Sequence, residues 1–331
     1  MRRSIRILVG LVLVAGLLGS AAWVFTPWPR VLLIRYAFGQ DAERRNAALA
    51  EYSTGAVEVR VGIPYGDAPR ERFDLYLPAG EGPHPVVIWI HGGGFVAGDR
   101  SDLSGYLRLL ADRGVAAIAL GYTRAPEARY PVPVQQAARA LQHLNRAADI
   151  LNIDMQRHVI AGDSAGAQIA GQLAAALTDP AYGETLGIAP PQVAPSGVVL
   201  FCGIYDPTLL TGGGAFAGFV ETAVWSYFGQ RDIAGDPRLA QMAVQRHVTP
   251  AFPPSFVSVG NGDPLAPQSA ILAESIAAKG VEVDRLFFEP DRQPPLGHEY
   301  QFDLSDPAGL EALARLTGFL DRVLGASAPG E

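Results

Sequence analysis

Three arginines, Arg2, Arg3 and Arg6, precede Ile7 to Phe25, a run of 19 residues without a charge. At 1.5 Å per residue a helix of that length spans about 28 Å, close to the hydrocarbon core of a bilayer. Apolar character continues past Ser20-Ala21-Ala22, where a signal peptide would be cut, through Trp23-Val24-Phe25. The run therefore predicts an uncleaved anchor in preference to a cleaved signal, with Trp23 and Trp28 at the interface. On either reading the bulk of the chain lies outside the cytoplasm. Residues 30–56 mix apolar, Arg and Ala positions in a helix-compatible pattern that closes at Ser53-Thr54-Gly55.

From residue 57 the period changes. Val57 to Val61 and Glu71 to Leu77 alternate as half-buried strands do, whereas Pro85 to Ile90 is a continuous apolar run that suits a strand buried on both faces. Strands at 115–120, 158–161, 197–201, 255–259 and 281–288 then alternate with helices near 102–113, 133–148, 165–178, 267–279 and 307–324. This predicts an α/β fold, with a mainly parallel central sheet of about eight strands and helices on both faces. The segment 205–249 breaks the alternation with Gly212-Gly213-Gly214 and the aromatics Phe216, Phe219, Trp225, Tyr227 and Phe228. It predicts a small cap insertion over the strand ends. The chain thus divides into a membrane anchor or signal segment (1–29), a linker or cap helix (30–56) and a catalytic α/β domain (57–326).

Composition sharpens this picture. Hydrophobic residues make up 49% and charged residues 18% of the 331, which supports a large core and excludes a disordered chain. The formal charge is −7, and nucleic acid, which needs a concentrated basic face, is excluded as a partner. With one cysteine, Cys202, neither an intramolecular disulfide nor a Cys-based metal site can form. Its setting in Val198 to Cys202 predicts an inert thiol in a buried strand. Nothing in the sequence sets an oligomeric state, and no ligand cluster calls for a metal or an organic cofactor.

The chemistry lies at the turns. Gly162-Asp163-Ser164-Ala165-Gly166 falls between the strand ending at Ala161 and the helix that follows. A G-x-S-x-G in that context lifts the serine Oγ clear on a tight turn, with small neighbours required on either side. His91-Gly92-Gly93-Gly94 follows the apolar strand at its carboxyl end, where glycines bring backbone N–H groups close to a substrate. That loop and the N–H of Ala165 supply donors for a tetrahedral oxyanion. Asp263, in Gly260-Asn261-Gly262-Asp263-Pro264-Leu265, and His298, between the last strand and the last helix, complete the order Ser, Asp, His. Glu289 and Asp291 are alternative acids, and His247 is the rival base. His91 reads as a loop anchor, while His84, His143 and His158 fall in a loop, on a helix face and at the head of a strand.

Taken together, HGGGFVAGD (91–99), YTRAPEARYP (122–131), GDSAG (162–166) and GDPL (262–265) resemble the hormone-sensitive-lipase-like carboxylesterases of the α/β-hydrolase fold. The resemblance covers about residues 57–325. It implies Ser164 as nucleophile, Asp263 as acid, His298 as base, and Gly93, Gly94 and Ala165 as oxyanion donors. The implied activity is hydrolysis of short-to-medium acyl esters of small molecules, without metal or cofactor. An amidase or formamidase on the same residues is the alternative, and a catalytically silent binding protein is the reading from another class. Two positions depart from the pattern: Ala167-Gln168 stands where many members continue Gly-Asn, and Ala266-Pro267-Gln268 stands where many carry a second Asp. The first is closer to esterases acting on small or sugar-linked acyl groups.

Overall fold

The computed structural model describes residues 2–53, 55–210 and 217–325. Eight strands form one sheet in the order β1-β2-β4-β3-β5-β6-β7-β8. They are β1 (Glu58–Pro64), β2 (Arg72–Leu77), β3 (His84–Ile90), β4 (Ala116–Leu120), β5 (Ile153–Asp163), β6 (Gly197–Phe201), β7 (Ser255–Ser258) and β8 (Val283–Leu286). Only β2 runs against its neighbours; all pairings from β4 through β8 are parallel. The eight-stranded α/β expectation is met.

The apolar run that predicts β3 is buried at every position. Val86, Ile88 and Ile90 point to one face and Val87 and Trp89 to the other, as the period of two requires. Helices α4 (Val132–Leu151), α5 (Ala165–Thr178) and α9 (Ala266–Ala278) cover the first face, and α3 (Ser104–Ala111) and α10 (Pro307–Leu324) cover the second. Their ends follow capping rules. Asp306 accepts from Ala308 N ahead of Pro307, and α10 stops at Gly325 in the left-handed region. Every residue of α5 from Ala165 to Leu177 is buried, because the sheet lies on one side and the short helix α6 (Pro180–Thr185) and the cap on the other.

Several boundaries differ from the sequence expectation. β5 begins at Ile153, so His158 lies inside the strand, and His84 is the first residue of β3 instead of a loop residue. A 3-10 turn at Arg100–Leu103, capped by Asp99, replaces the first turn of the expected 102–113 helix. Among the described residues the cap insertion holds two α-helices, α7 (Ala217–Phe228) and α8 (Pro237–Met242). Gly212, Gly213, Gly214, Phe216 and Thr54 lie outside the described residues.

The N-terminal part forms α1 (Arg2–Phe25) and α2 (Trp28–Leu49). Among the described residues no single helix is long and apolar enough to cross a membrane; Gly10–Phe25 and Trp28–Tyr52 meet that test only together, bent by 82°. α2 is docked on the body of the molecule. Val31 and Leu49 are buried, Phe38 stacks on Phe219 of α7 at 5.8 Å, and Arg30 pairs with Glu221 at 3.2 Å.

Candidate active site

Ser164 sits between β5 and α5 at φ 52, ψ −119, a region that non-glycine residues rarely adopt. Its neighbours leave no alternative to glycine. A Cβ on Gly166 would stand 2.0 Å from Ile90 O, and one on Gly162 would stand 2.4 Å from the carbonyl carbon of Gly166. The N–H of Ser164 donates to Phe201 O at 2.8 Å, which pins the turn to the end of β6.

His298 Nε2 lies 3.0 Å from Ser164 Oγ, and its Nδ1 lies 2.7 Å from Asp263 Oδ2. With the proton on Nδ1, the imidazole donates to the carboxylate and accepts from the serine. Asp263 is buried and also accepts from Leu265 N at 2.8 Å, so its two oxygens are committed. The structure thus brings together the acid, base and serine that the sequence singles out. Glu289, Asp291 and His247 lie outside this chain of hydrogen bonds; His247 stacks on Tyr182 at 3.7 Å instead.

Burial works against the charged form of His298, but its contacts with Cys202, Asp263 and Glu299 outweigh burial and lift the imidazole well above its ordinary value. Burial pushes the Cys202 thiol up, so it stays neutral. The charges that favour the imidazolium therefore belong to the carboxylates of Asp263 and Glu299.

The 91–99 loop faces Ser164. His91 stacks on Tyr122 at 4.4 Å and its Nδ1–H donates to Gly92 O at 2.8 Å; burial pulls the imidazole down to about 4, so it is a neutral anchor. Gly93 and Gly94 have φ 101 and 58. The Gly93 carbonyl accepts from Val96 N and Ala97 N, but among the described residues the N–H groups of Gly93 and Gly94 have no acceptor. Ala165, in the first turn of α5, has no helical partner for its N–H either. Among the described residues, three backbone donors without an acceptor thus lie in the loop beside Ser164 and in the turn that carries it, the kind of group an oxyanion needs.

A small apolar cavity of about 30 Å³ opens beside Gly94, walled by Phe95 and Ile204 and by Phe219, Ala223 and Tyr227 of the cap. Of the cap aromatics read from the sequence, Phe219, Tyr227 and Phe228 line this space and also pack on the core beneath it, whereas Trp225 does not line it.

Several functional positions carry no motif. Asn261 reads as a turn residue, yet its Nδ2 donates to Arg292 O at 3.0 Å and its Oδ1 accepts from Leu296 N at 2.9 Å. It staples the loop of Asp263 to the loop of His298, which accounts for the Pro294-Pro295-Leu296-Gly297 approach. The two departures from the family pattern are also structural. Gln168 is fully buried and donates to Met242 O at 3.2 Å, while Gln172 reaches Tyr130 and Tyr182. Gln268 Oε1 accepts from Asp206 N at 2.8 Å, where the cap begins. Both glutamines fix the cap to helices that cover the sheet, α5 and α9.

Cys202 needs a correction. It is buried, as expected, but β6 ends at Phe201 and Cys202 follows at φ 42. Its Sγ and the donor atoms of Asp263 and His298 lie within 4.8 Å of one another, a grouping of three ligand types that spacing along the chain does not reveal. The thiol forms part of the wall behind the imidazole.

With this geometry in view, comparison with known proteins is decisive on the family. The α/β-hydrolase fold family matches residues 87–290, more than half of the chain. The chain belongs to the α/β-hydrolase fold family. Solved α/β-hydrolases superpose over nearly its whole length. Esterase B from Lactobacillus rhamnosis is 22% identical with a TM-score of 0.75, over 90% of this chain and 96% of that one. Esterase LipW from Mycobacterium marinum is 20% identical with a TM-score of 0.70, over 88% and 90%. EstE1, a carboxylesterase from a metagenomic library, is 23% identical with a TM-score of 0.69, over 89% and 97%. At these identities the likeness concerns the fold. In this α/β-hydrolase, Ser164 occupies the turn between β5 and α5, at the carboxyl end of a central strand.

Proposed function

We propose that this α/β-hydrolase is a serine carboxylesterase acting on short-to-medium acyl esters of small molecules. The observation that carries the proposal is the hydrogen-bonded series Ser164–His298–Asp263, with backbone N–H groups in the adjoining loop and turn that have no acceptor among the described residues. His298 takes the proton of Ser164 Oγ as the oxygen attacks the ester carbonyl. Asp263 holds the Nδ1–H tautomer and favours the imidazolium that forms. The N–H groups of Gly93, Gly94 and Ala165 receive the oxyanion. His298 then protonates the departing alcohol, and water, activated by the same imidazole, releases the acid from Ser164. The scheme uses no metal or cofactor.

The cavity beside Gly94 supports an apolar acyl group of limited length, because cap side chains close it on one side. The solved esterases of the same fold add a prior for oxygen leaving groups. Paired substrates separate the alternatives. p-Nitrophenyl butyrate should be turned over much faster than butyryl anilide; faster anilide cleavage would make the protein an amidase, and turnover of neither by folded protein would favour a binding role.

The N-terminal segment supports placement at a membrane with the catalytic domain outside the cytoplasm. Leu11, Val12, Leu13, Leu17, Leu18 and Phe25 of α1 are each more than half exposed, an apolar surface that lipid would cover. Retention in the membrane pellet after alkaline carbonate extraction is the expected result, and release into the supernatant would contradict the anchor.

A further inference from the structure

Glu299 follows His298 directly and holds φ 60, in the left-handed region. This unusual backbone brings its carboxyl into hydrogen-bond contact with that of Asp163, the residue before Ser164. Two ionised carboxylates in contact repel, which favours a single proton shared between them. The remaining partners decide where it sits. Asp163 accepts from Trp89 Nε1 at 2.7 Å and from Gly92 N at 2.9 Å, but burial and the charge of Glu299 push it upward. Burial also pushes Glu299 upward, but His298 and Arg45 outweigh it and hold that carboxyl below its ordinary value. Glu299 Oε2 accepts from Arg45 Nη1 at 2.8 Å, and Arg45 belongs to α2, 254 positions away. The titratable groups facing this cluster are Arg45 from α2, Asp102 from the 3-10 turn, and His298 with its partners Asp263 and the neutral Cys202.

We propose that Arg45, Glu299 and Asp163 are positioning residues: Arg45 fixes the Glu299 carboxylate, which holds the Asp163 carboxyl through one proton and so ties the residue after the base to the residue before the nucleophile. The inference rests on the reading of Ser164 and His298 as nucleophile and base. The Ser164–His298 contact joins the turn after β5 to the loop after β8, two strands that do not pair with each other, and the carboxyl pair is a second tie across the same gap. α2 thereby becomes part of the frame of the active site instead of a linker to it. Arg35, about 15 Å earlier on the same helix, donates to Val96 O at 2.8 Å and so braces the loop of Gly93 and Gly94.

The test uses the full chain in detergent with Glu299→Ala, Glu299→Gln and Arg45→Met. Glu299→Ala should lower kcat on p-nitrophenyl butyrate by roughly ten- to a hundredfold with KM nearly unchanged, the cost of a small misplacement. Glu299→Gln should recover most of that loss, since its amide can donate to Asp163 and accept from Arg45. Arg45→Met removes the cation beside a pair with one negative charge, so the acid limb of kcat/KM should move to higher pH. Infrared spectra at neutral pH should show a protonated carboxyl band in the wild type that is lost in Asp163→Asn. Should Glu299→Ala fail to fold, Glu299→Gln and Arg45→Met still decide. Wild-type kcat in Glu299→Ala, no recovery in Glu299→Gln, or an unmoved limb in Arg45→Met would each overturn the proposal. A fluorophosphonate probe separates the two levels. If it does not label the wild type, the reading of Ser164 fails; if it labels the wild type and Glu299→Ala at equal rates, the positioning role fails.

Discussion

His298 Nε2 and Ser164 Oγ stand 3.0 Å apart although 134 positions separate them in the chain. The parallel sheet makes this possible: β5 through β8 run side by side in one direction, so the loops after β5, β7 and β8 emerge along one edge. Chemistry spread over the second half of the sequence is gathered there without any local motif that joins it.

The pH dependence should follow from His298. Its imidazole is raised above the ordinary value of 6.5, and it acts as a base only when neutral. The acid limb of kcat/KM should therefore lie above 6.5, with activity lost as pH falls through it. Stability has the opposite sign. A raised group contributes stability that is fully present below the unfolded value and is lost as pH rises through the folded one. The His298 contribution should thus decline over the same range in which activity appears. Activity profiles and denaturant titrations at several pH values check both, and an acid limb below the ordinary imidazole range would contradict the assignment.

Asp263→Asn should fold normally but lower kcat by about 10⁴-fold, because the wrong imidazole tautomer is then favoured. A loss of less than tenfold would mean that another carboxylate supports His298.

The glycines should separate into two kinds. In Gly166→Ala the new methyl would meet backbone, 2.0 Å from Ile90 O, so the variant should be insoluble or show a large fall in Tm. In Gly94→Ala it would meet only the ring of Phe219, at 2.3 Å, which can swing aside. That variant should fold yet lose activity, since both the free N–H and the cavity mouth are disturbed. Equal Tm values for Gly166→Ala and wild type would refute the steric argument.

Much of this was legible in the residues because each signal was local. A continuous apolar run announces β3, and Gly-x-Ser-x-Gly between strand and helix announces the serine turn. What escaped is what depends on contacts across the fold. Asn261 looks like turn chemistry, and only the 292–297 loop lying against it makes it a staple. Glu299 and Arg45 belong to no motif, and only the fold sets them beside Asp163. Cys202 reads as core, and no spacing rule shows that it backs the imidazole.

Acyl selectivity should respond to the cap. Ala223→Val narrows the small cavity beside Gly94 and should reduce kcat/KM on the hexanoate ester by about tenfold, with a smaller effect on acetate. An equal reduction on both would place the acyl group elsewhere.

The central claim is that Ser164 is the nucleophile of an ester hydrolase. The most direct test is hydrolysis of p-nitrophenyl acetate, butyrate and hexanoate by the full chain beside Ser164→Ala. The account predicts turnover by the wild type and a loss of several orders of magnitude in the variant, with both proteins equally stable. Undiminished hydrolysis by Ser164→Ala would contradict it.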